Sequence, residues 1–588
     1  MGDPFLNRMS VNRERTSMVL SYDDQTCDWC ELSDAGDVQG IQRLSDHWAG
    51  PGQTLQHIQF TGTDQIVVIT RQKTKRWIHV FEKEREKIRL IQTLSLNLPF
   101  PVMQVAWQDE QWQLLFAVRH RSGTVQIGIF EPEKEKAEWV TPELHNPQFV
   151  FWAKPAREIG INVGGVGRVY FYGEDTGASR EIPYQEYAHS VMDKQGDWIA
   201  MCIPVEHGFQ PGWIRDQEGV IHGCSERSEP FSELIRVQLD ADQQHVLCEG
   251  VIHGKWQYVQ YTLDGEKTFE LRDYQGTLTQ AVYSRDKQSL IGKLESVANA
   301  PVPAKYGISE SFGEITPLSV GHGDTLVSGL TQQPKIEYRH ICYENEFIPY
   351  MDIHSEGEEQ AVIYLHGGPH NCLLDSYSPV IAGLSEAGVR VIGLNYPGSS
   401  GFGSEYKHRI QDNWGGVDAN VIRIVREQVL GSYSAVSLYG VSYGAYLALL
   451  AAGRDPSLWS SAVACAPFTD LSALYAGGGA KLRSFLQAEI GELLQNESEL
   501  RDRSPLTYAS ALCKVDLQLI HGRNDQLCPV EQTERLYQEM LNCKEPVENK
   551  GQLELHIIDD LQHEVYAERI WAAKAVHFLT RNRVTQPG

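Results

Sequence analysis

Ser442, Asp525 and His563 stand in the order and the settings that nucleophilic catalysis needs. A serine hydroxyl is a poor nucleophile at neutral pH. It needs a histidine to take its proton and a carboxylate to fix that imidazole's tautomer and stabilise the imidazolium. Ser442 is the centre of Gly440-Val441-Ser442-Tyr443-Gly444. Residues 435–439 before it read as a short buried strand, and residues 445–452 after it read as a helix. A Gly-x-Ser-x-Gly turn between strand and helix is too tight for bulk at either glycine, and it holds the hydroxyl clear of the sheet. The plainer reading, a Gly-rich turn with an incidental serine, is weakened by the match on both flanks.

The base is chosen by position. Of the histidines that follow, His556 lies inside a predicted strand and His577 inside the last predicted helix. His563 falls in the loop between them, where a mobile base belongs. Asp525 ends the preceding strand in His521-Gly522-Arg523-Asn524-Asp525, 38 residues before His563. Its plainer role would be a turn-forming Asp; the chain order Ser, Asp, His favours the catalytic one. Asp559 and Asp560 are too near His563 in sequence to come from a separate strand end. The developing oxyanion needs two donors. One is the backbone N–H of Tyr443, directly after the nucleophile, and the other is expected from the turn Gly367-Gly368, where backbone can approach substrate closely.

The elements that must position these groups alternate as strand and helix from about residue 335 onward. A strand pair is expected at 336–342 and 346–353, then strands at 361–365, 389–394, 435–439, 461–465, 517–520 and 553–558. Polar and Gly-rich signals sit at the carboxyl ends of successive strands, where open α/β sheets build their sites. The Gly- and polar-rich stretch 321–334 marks a linker, with a first domain at 1–320 and a catalytic domain at 335–588.

The first half repeats. Six stretches, 57–70, 104–118, 148–163, 189–203, 235–250 and 280–294, share one form: a short strand, a turn, then a more apolar strand. Their starts step by 47, 44, 41, 46 and 45 residues. A period near 45 with several strands per unit is the mark of a β-propeller with one four-stranded blade per repeat. An earlier half-matching unit at 18–44 makes about seven blades. Ten of the 13 tryptophans precede residue 257, and they are read as wedges between blades. A pair of β-sandwiches would not give such even spacing.

With 588 residues the chain is too long for one core. Its net charge of −25 argues against nucleic-acid and anionic-membrane partners, which call for basic surface. No apolar run approaches the roughly 20 residues of a membrane span, and the first 30 residues carry no secretory leader core. The 11 cysteines are scattered; Cys27-Asp28-Trp29-Cys30 is a lone pair with no second pair at zinc spacing. The thiols are read as free and the compartment as cytoplasmic, with neither metal nor cofactor expected.

The second half resembles the catalytic domain of the prolyl oligopeptidase family of serine peptidases, most like its acylaminoacyl-peptidase branch. The resemblance rests on His366-Gly-Gly-Pro369, Asn395-Tyr-Pro-Gly-Ser-Ser-Gly-Phe-Gly403, Trp414-Gly-Gly-Val-Asp418, Gly440-Val-Ser-Tyr-Gly444, Arg503-Ser-Pro505, His521-Gly-Arg-Asn-Asp525 and His563. It implies an α/β-hydrolase domain behind an N-terminal propeller. Ser442 is then the nucleophile, Asp525 the acid and His563 the base, with the Gly368 and Tyr443 amides as oxyanion hole. Phe468, Leu471 and Tyr475 fall in the segment lining the family's primary specificity pocket. The resemblance further implies short peptides as substrates, a propeller that limits their size, and self-association as an open expectation. Three positions depart from the family's pattern: Pro397 where Arg is usual, Gln562 where Gly usually precedes the histidine, and Gln526-Leu527-Cys528-Pro529 after the acid. They bear on substrate preference and leave the triad intact. Two other functions compete: an esterase or amidase using the same triad, and a binding protein retaining a decayed hydrolase.

Overall fold

The computed structural model describes the chain from Leu6 to Arg581 apart from short stretches, of which 46–53, 182–189, 320–333 and 544–550 are the longest. Two compact units result. The first takes Met1–Ile252, Trp256–Glu295 and Ala300–Ser328, and the second His253–Lys255, Ser296–Asn299 and Gly329–Gly588. Of the stretch read as linker, all but Pro334 lies outside the described residues.

Among the described residues, the first unit holds seven four-stranded sheets, each made of four consecutive strands paired antiparallel. The repeating stretches of the sequence fall on the first two strands of six of them. Stretch 57–70, for example, falls on Thr54–Phe60 and Gln65–Gln72, and 280–294 on Thr277–Tyr283 and Ser289–Glu295. The seventh sheet is the N-terminal one. Its first strand, Leu6–Val11, has too broken an apolar pattern to be signalled by sequence. In all seven sheets a register shift interrupts the pairing of the first strand with the second. Such irregularities raise local twist, and their recurrence at one place marks one unit repeated. The ring closes by side-chain packing with no shared strand. Met9, Met18, Leu20 and Cys30 of the first sheet form one core with Ile291 of the last. The Met9 N–H donates to Gln280 Oε1 at 3.4 Å, and Lys305 pairs with Asp37. This unit is a seven-bladed propeller.

Trp29 and Trp213 are fully buried, Trp29 meeting Phe60 of the next blade edge-on at 5.4 Å between centroids. Trp139 departs from the wedge reading: it ends the short edge strand Lys136–Trp139 and is 50% exposed. Cys27 and Cys30 sit three apart on one strand and so face opposite ways. Cys30 packs with Ile291 and Cys27 with Phe81. Burial pushes both thiols up, and the pair cannot share a ligand.

The second unit is built on an eight-stranded sheet. Its strands are β1 (Lys335–Tyr343), β2 (Glu346–His354), β3 (Gln360–Leu365), β4 (Val389–Leu394), β5 (Ala435–Val441), β6 (Ser461–Cys465), β7 (Asp516–Gly522) and β8 (Leu553–Ile558). They lie in the order β1-β2-β4-β3-β5-β6-β7-β8, antiparallel through β4 and parallel beyond it. Alternation divides the core between the two faces. Ala361, Ile363, Leu365, Val436 and Leu438 pack with the helices Val417–Gln428 and Tyr443–Arg454. Val362, Tyr364, Tyr439 and Val441 pack with Pro379–Glu386 and Glu568–Thr580. Burial on both faces explains why β3, β4, β5 and β6 read as largely apolar runs. The strand order reverses beside β3, so the carboxyl ends of β3 and β5 flank a topological switch point, where such sheets bind ligands. Among the described residues no helix is long and apolar enough to cross a membrane.

Candidate active site

β5 runs straight into Ser442, whose φ of 54° and ψ of −116° lie in a region L-residues rarely adopt. Holding a non-glycine residue there costs about 1–2 kcal/mol. The surroundings enforce it. The Ser442 N–H donates to Cys465 O at the end of β6 at 2.8 Å, and the helix Tyr443–Arg454 begins at the next residue. A Cβ on Gly444 would stand 2.1 Å from Leu365 O and 2.5 Å from His366 O; one on Gly440 would stand 2.2 Å from Gly444 O. Gly444→Val is therefore expected to push the elbow off β3. Overpacking of this kind costs about 1–3 kcal/mol, read as a lower Tm together with loss of whatever activity Ser442 supports. A variant with parental Tm and activity would show the elbow to be looser than its geometry.

Ser442 Oγ lies 3.0 Å from His563 Nε2, and His563 Nδ1 lies 2.6 Å from Asp525 Oδ2. Asp525 is an acceptor only while ionised, so Nδ1 carries the hydrogen and Nε2 presents its lone pair to the serine hydroxyl. Asp525 is held in place through its other oxygen, which accepts the Leu527 and Cys528 N–H groups at 2.9 and 2.8 Å. Burial works against its charge. The hydrogen bonds from His521, His563 and Cys528 outweigh burial and hold the carboxyl well below the usual carboxylate range. His521, fully buried behind it, bonds to Cys528 O at 2.8 Å and Thr533 Oγ1 at 2.8 Å, locking the turn that carries the acid. Cys528 also reaches Ser442, but burial pushes its thiol far up, which disqualifies it as a nucleophile. His556 instead faces Glu554 and Gln518, and Asp559 pairs on the surface with Arg523.

The Tyr443 N–H is at the first position of its helix, among the donors a helix leaves free. Its side chain is pinned. The hydroxyl donates to Asp418, a fully buried carboxylate that also accepts from the Gly415 and Ala419 N–H groups at 3.2 and 2.9 Å. Burial raises the Asp418 carboxyl, and those three hydrogen bonds oppose the rise. This partner explains the Asp418 end of the Trp414–Asp418 motif, and sequence alone does not show it. Gly368 follows β3 with φ of 146°, and a Cβ there would meet His370 N at 2.8 Å. The loop is braced by His366, whose ring stacks on Tyr396 at 4.4 Å and bonds to Ser399 Oγ at 2.8 Å; burial lowers its pKa to about 4.

Phe468 stacks on Tyr446 at 4.5 Å and lies 6.1 Å from the Tyr443 ring. Leu471 is buried in the same core, and Tyr475 packs against it with its hydroxyl on Gln487 at 3.2 Å. Among the described residues, one cluster has metal-ligand types within 4.8 Å: Glu337, Asp352 and His354. Arg390 takes both Asp352 oxygens at 2.9 and 2.8 Å, and Lys335 and Arg339 pair with Glu337, so cations of the chain already match its charge.

A Ser-His-Asp line drawn from the carboxyl ends of β5, β8 and β7 of this sheet defines the domain as an α/β-hydrolase. Residues 375–583 match the family model "Prolyl oligopeptidase family". The human acylamino-acid-releasing enzyme is 25% identical over 359 residues, 57% of this chain and 45% of that protein. The pig enzyme of the same name is 25% identical over 228 residues, 37% of this chain and 31% of that protein. The chain thus aligns with less than half the length of these relatives. The whole fold is shared with the Pyrococcus horikoshii acylaminoacyl peptidase, at TM-score 0.74 and 13% identity over 99% of this chain and 97% of the other.

Proposed function

We propose that the chain is a serine peptidase that hydrolyses short peptides through an acyl-enzyme. The observation that carries this reading is the unbroken line Ser442–His563–Asp525 at 3.0 and 2.6 Å. Ser442 Oγ attacks the scissile carbonyl carbon as its proton passes to His563 Nε2. The tetrahedral oxyanion is met by the N–H groups of Tyr443 and Gly368. His563 then gives the proton to the leaving amine, the C–N bond breaks, and the acyl group stays on Ser442. Water repeats the sequence and frees the acid, with Asp525 stabilising each imidazolium. A peptide substrate is supported by the names of the relatives. It is supported too by a structure of the same fold titled as acylaminoacyl peptidase in complex with Z-Gly-Gly-Phe-chloromethyl ketone, 14% identical at TM-score 0.76. Phe468, Leu471 and Tyr475 are assigned to the pocket for the side chain before the cut, which favours an apolar residue there.

The propeller is assigned the part of size filter, since none of the proposed catalytic residues lies in it. Peptides up to roughly 30 residues should be cleaved and folded proteins spared, a length that the resemblance to the family implies. A fluorophosphonate probe should label the parent at Ser442, and a graded peptide ladder should be digested with rates that fall with length. Faster turnover of simple esters with no peptide cleavage would favour the esterase reading. An unlabelled Ser442 would remove the hydrolase altogether, and equal rates on long chains and ten-residue peptides would remove the filter.

A further inference from the structure

His370 follows Gly368-Pro369 on the loop that carries one proposed oxyanion donor. Its Nδ1 lies 2.8 Å from Gly398 O and its Nε2 lies 2.9 Å from Glu489 Oε2. Both partners are pure acceptors: a backbone carbonyl and a carboxylate. A neutral imidazole has one N–H and would turn a lone pair toward whichever acceptor it did not serve. Only the imidazolium donates to both. Three segments meet at this ring: the Gly368 loop, the Tyr396–Gly398 turn after β4, and the helix Ala480–Ile490 that bears Glu489. The Glu489 carbonyl in turn accepts the Asp412 N–H at 2.7 Å, and Asn371 O accepts the Ser400 N–H at 3.0 Å. Gly368 is therefore braced against the helix through His370, whose backbone N is the atom nearest a Cβ placed on Gly368.

We propose that His370, held as an imidazolium between Glu489 and Gly398, is a positioning residue for the oxyanion loop, and that its deprotonation switches the site off on the alkaline side. The proposal rests on the hydrolase reading above. The charged groups facing the ring are Glu489 from the helix and Lys407 from the segment Ser404–His408. Burial and Lys407 disfavour the charge. The hydrogen bonds to Glu489 and Gly398 outweigh them, and the net direction is upward. The sign follows. A histidine whose pKa rises on folding contributes fully below its unfolded value of about 6.5 and loses that contribution as pH climbs through the raised one. Activity that needs the clamp falls over that upper range.

The test is the pH dependence of kcat/KM on a short peptide from pH 6 to 10, for the parent, Glu489→Gln, His370→Arg and His370→Gln. Removing an opposite charge at this distance should move the alkaline limb of Glu489→Gln down by about one unit. His370→Arg, permanently charged and able to serve both acceptors, should stay active with no alkaline fall. His370→Gln should lose about tenfold in kcat with KM little altered, less than the 10² or more that deleting an oxyanion donor costs. An alkaline limb unmoved in both Glu489→Gln and His370→Arg would overturn the proposal. The protonation state is also read without activity. In an NMR titration of the full chain, the imidazole signal missing from His370→Gln should titrate above the free value of about 6.5 in the parent. A signal titrating at or below that value would overturn the clamp even if the hydrolase holds. A parent with no activity and a raised His370 signal would overturn the hydrolase and the switch together, leaving only the charge.

Discussion

Ser442→Ala should fold like the parent and lose about six orders of magnitude in kcat, the loss a triad serine costs in a serine protease. The reason is local. The substitution deletes one oxygen and leaves the elbow intact, because the Ser442 N–H keeps its bond to Cys465 O at 2.8 Å and the glycines on either side are untouched. Alanine inherits the φ of 54° at the same backbone cost. The neighbouring Cys528 cannot substitute, since burial holds its thiol protonated. A Tm within a few degrees of the parent, no label from a fluorophosphonate probe and no peptide turnover form the expected result. Activity within tenfold of the parent would place the nucleophile elsewhere.

Sequence revealed those features of this site that local chemistry determines. The elbow glycines face backbone oxygens within a few residues or one strand away, and they are forced by turn geometry wherever they occur. Strand ends at Leu365, Leu394 and Cys465 coincide with breaks from apolar to polar sequence, because these parallel strands are buried on both faces. The propeller was legible through its period, which survives the loss of any one strand signal. The remaining features depend on partners far away in the chain. Asp418 meets the Tyr443 hydroxyl across 25 residues, and Glu489 meets His370 across 119. Glu568, at the head of the last helix, gathers the hydroxyls of Tyr364, Ser378 and Tyr439 beneath the sheet. Nothing in the spacing of those residues announces the contact. Trp139 shows the converse: its residue type suggests burial, but an edge strand leaves it in water.

Asp525→Asn carries the second large effect, about 10⁴ in kcat, the size of this change in another serine protease. The substitution keeps the shape. Asn Oδ1 can still accept from the Leu527 and Cys528 N–H groups that now hold the carboxylate at 2.9 and 2.8 Å. Its amide nitrogen then faces His563 Nδ1 in place of the oxygen now at 2.6 Å. An N–H donor there turns Nδ1 into the acceptor and moves the ring hydrogen to Nε2. That nitrogen then points a proton at Ser442 Oγ and cannot take one. The imidazolium of each transition state also loses its counter-charge. Stability should change with a defined sign. The folded carboxyl is held below its unfolded value of about 3.9, so its contribution is complete above that pH and is lost as pH falls toward the folded value. Asp525→Asn should therefore be less stable than the parent at pH 7, and the two should converge on acidification below about pH 4. Melting curves at pH 7 and pH 3.5, set beside kcat on a short peptide, test both halves. A variant within tenfold of the parent in kcat would move the acid to another carboxylate. A Tm gap as wide at pH 3.5 as at pH 7 would mean that the charge of Asp525 does not stabilise the fold.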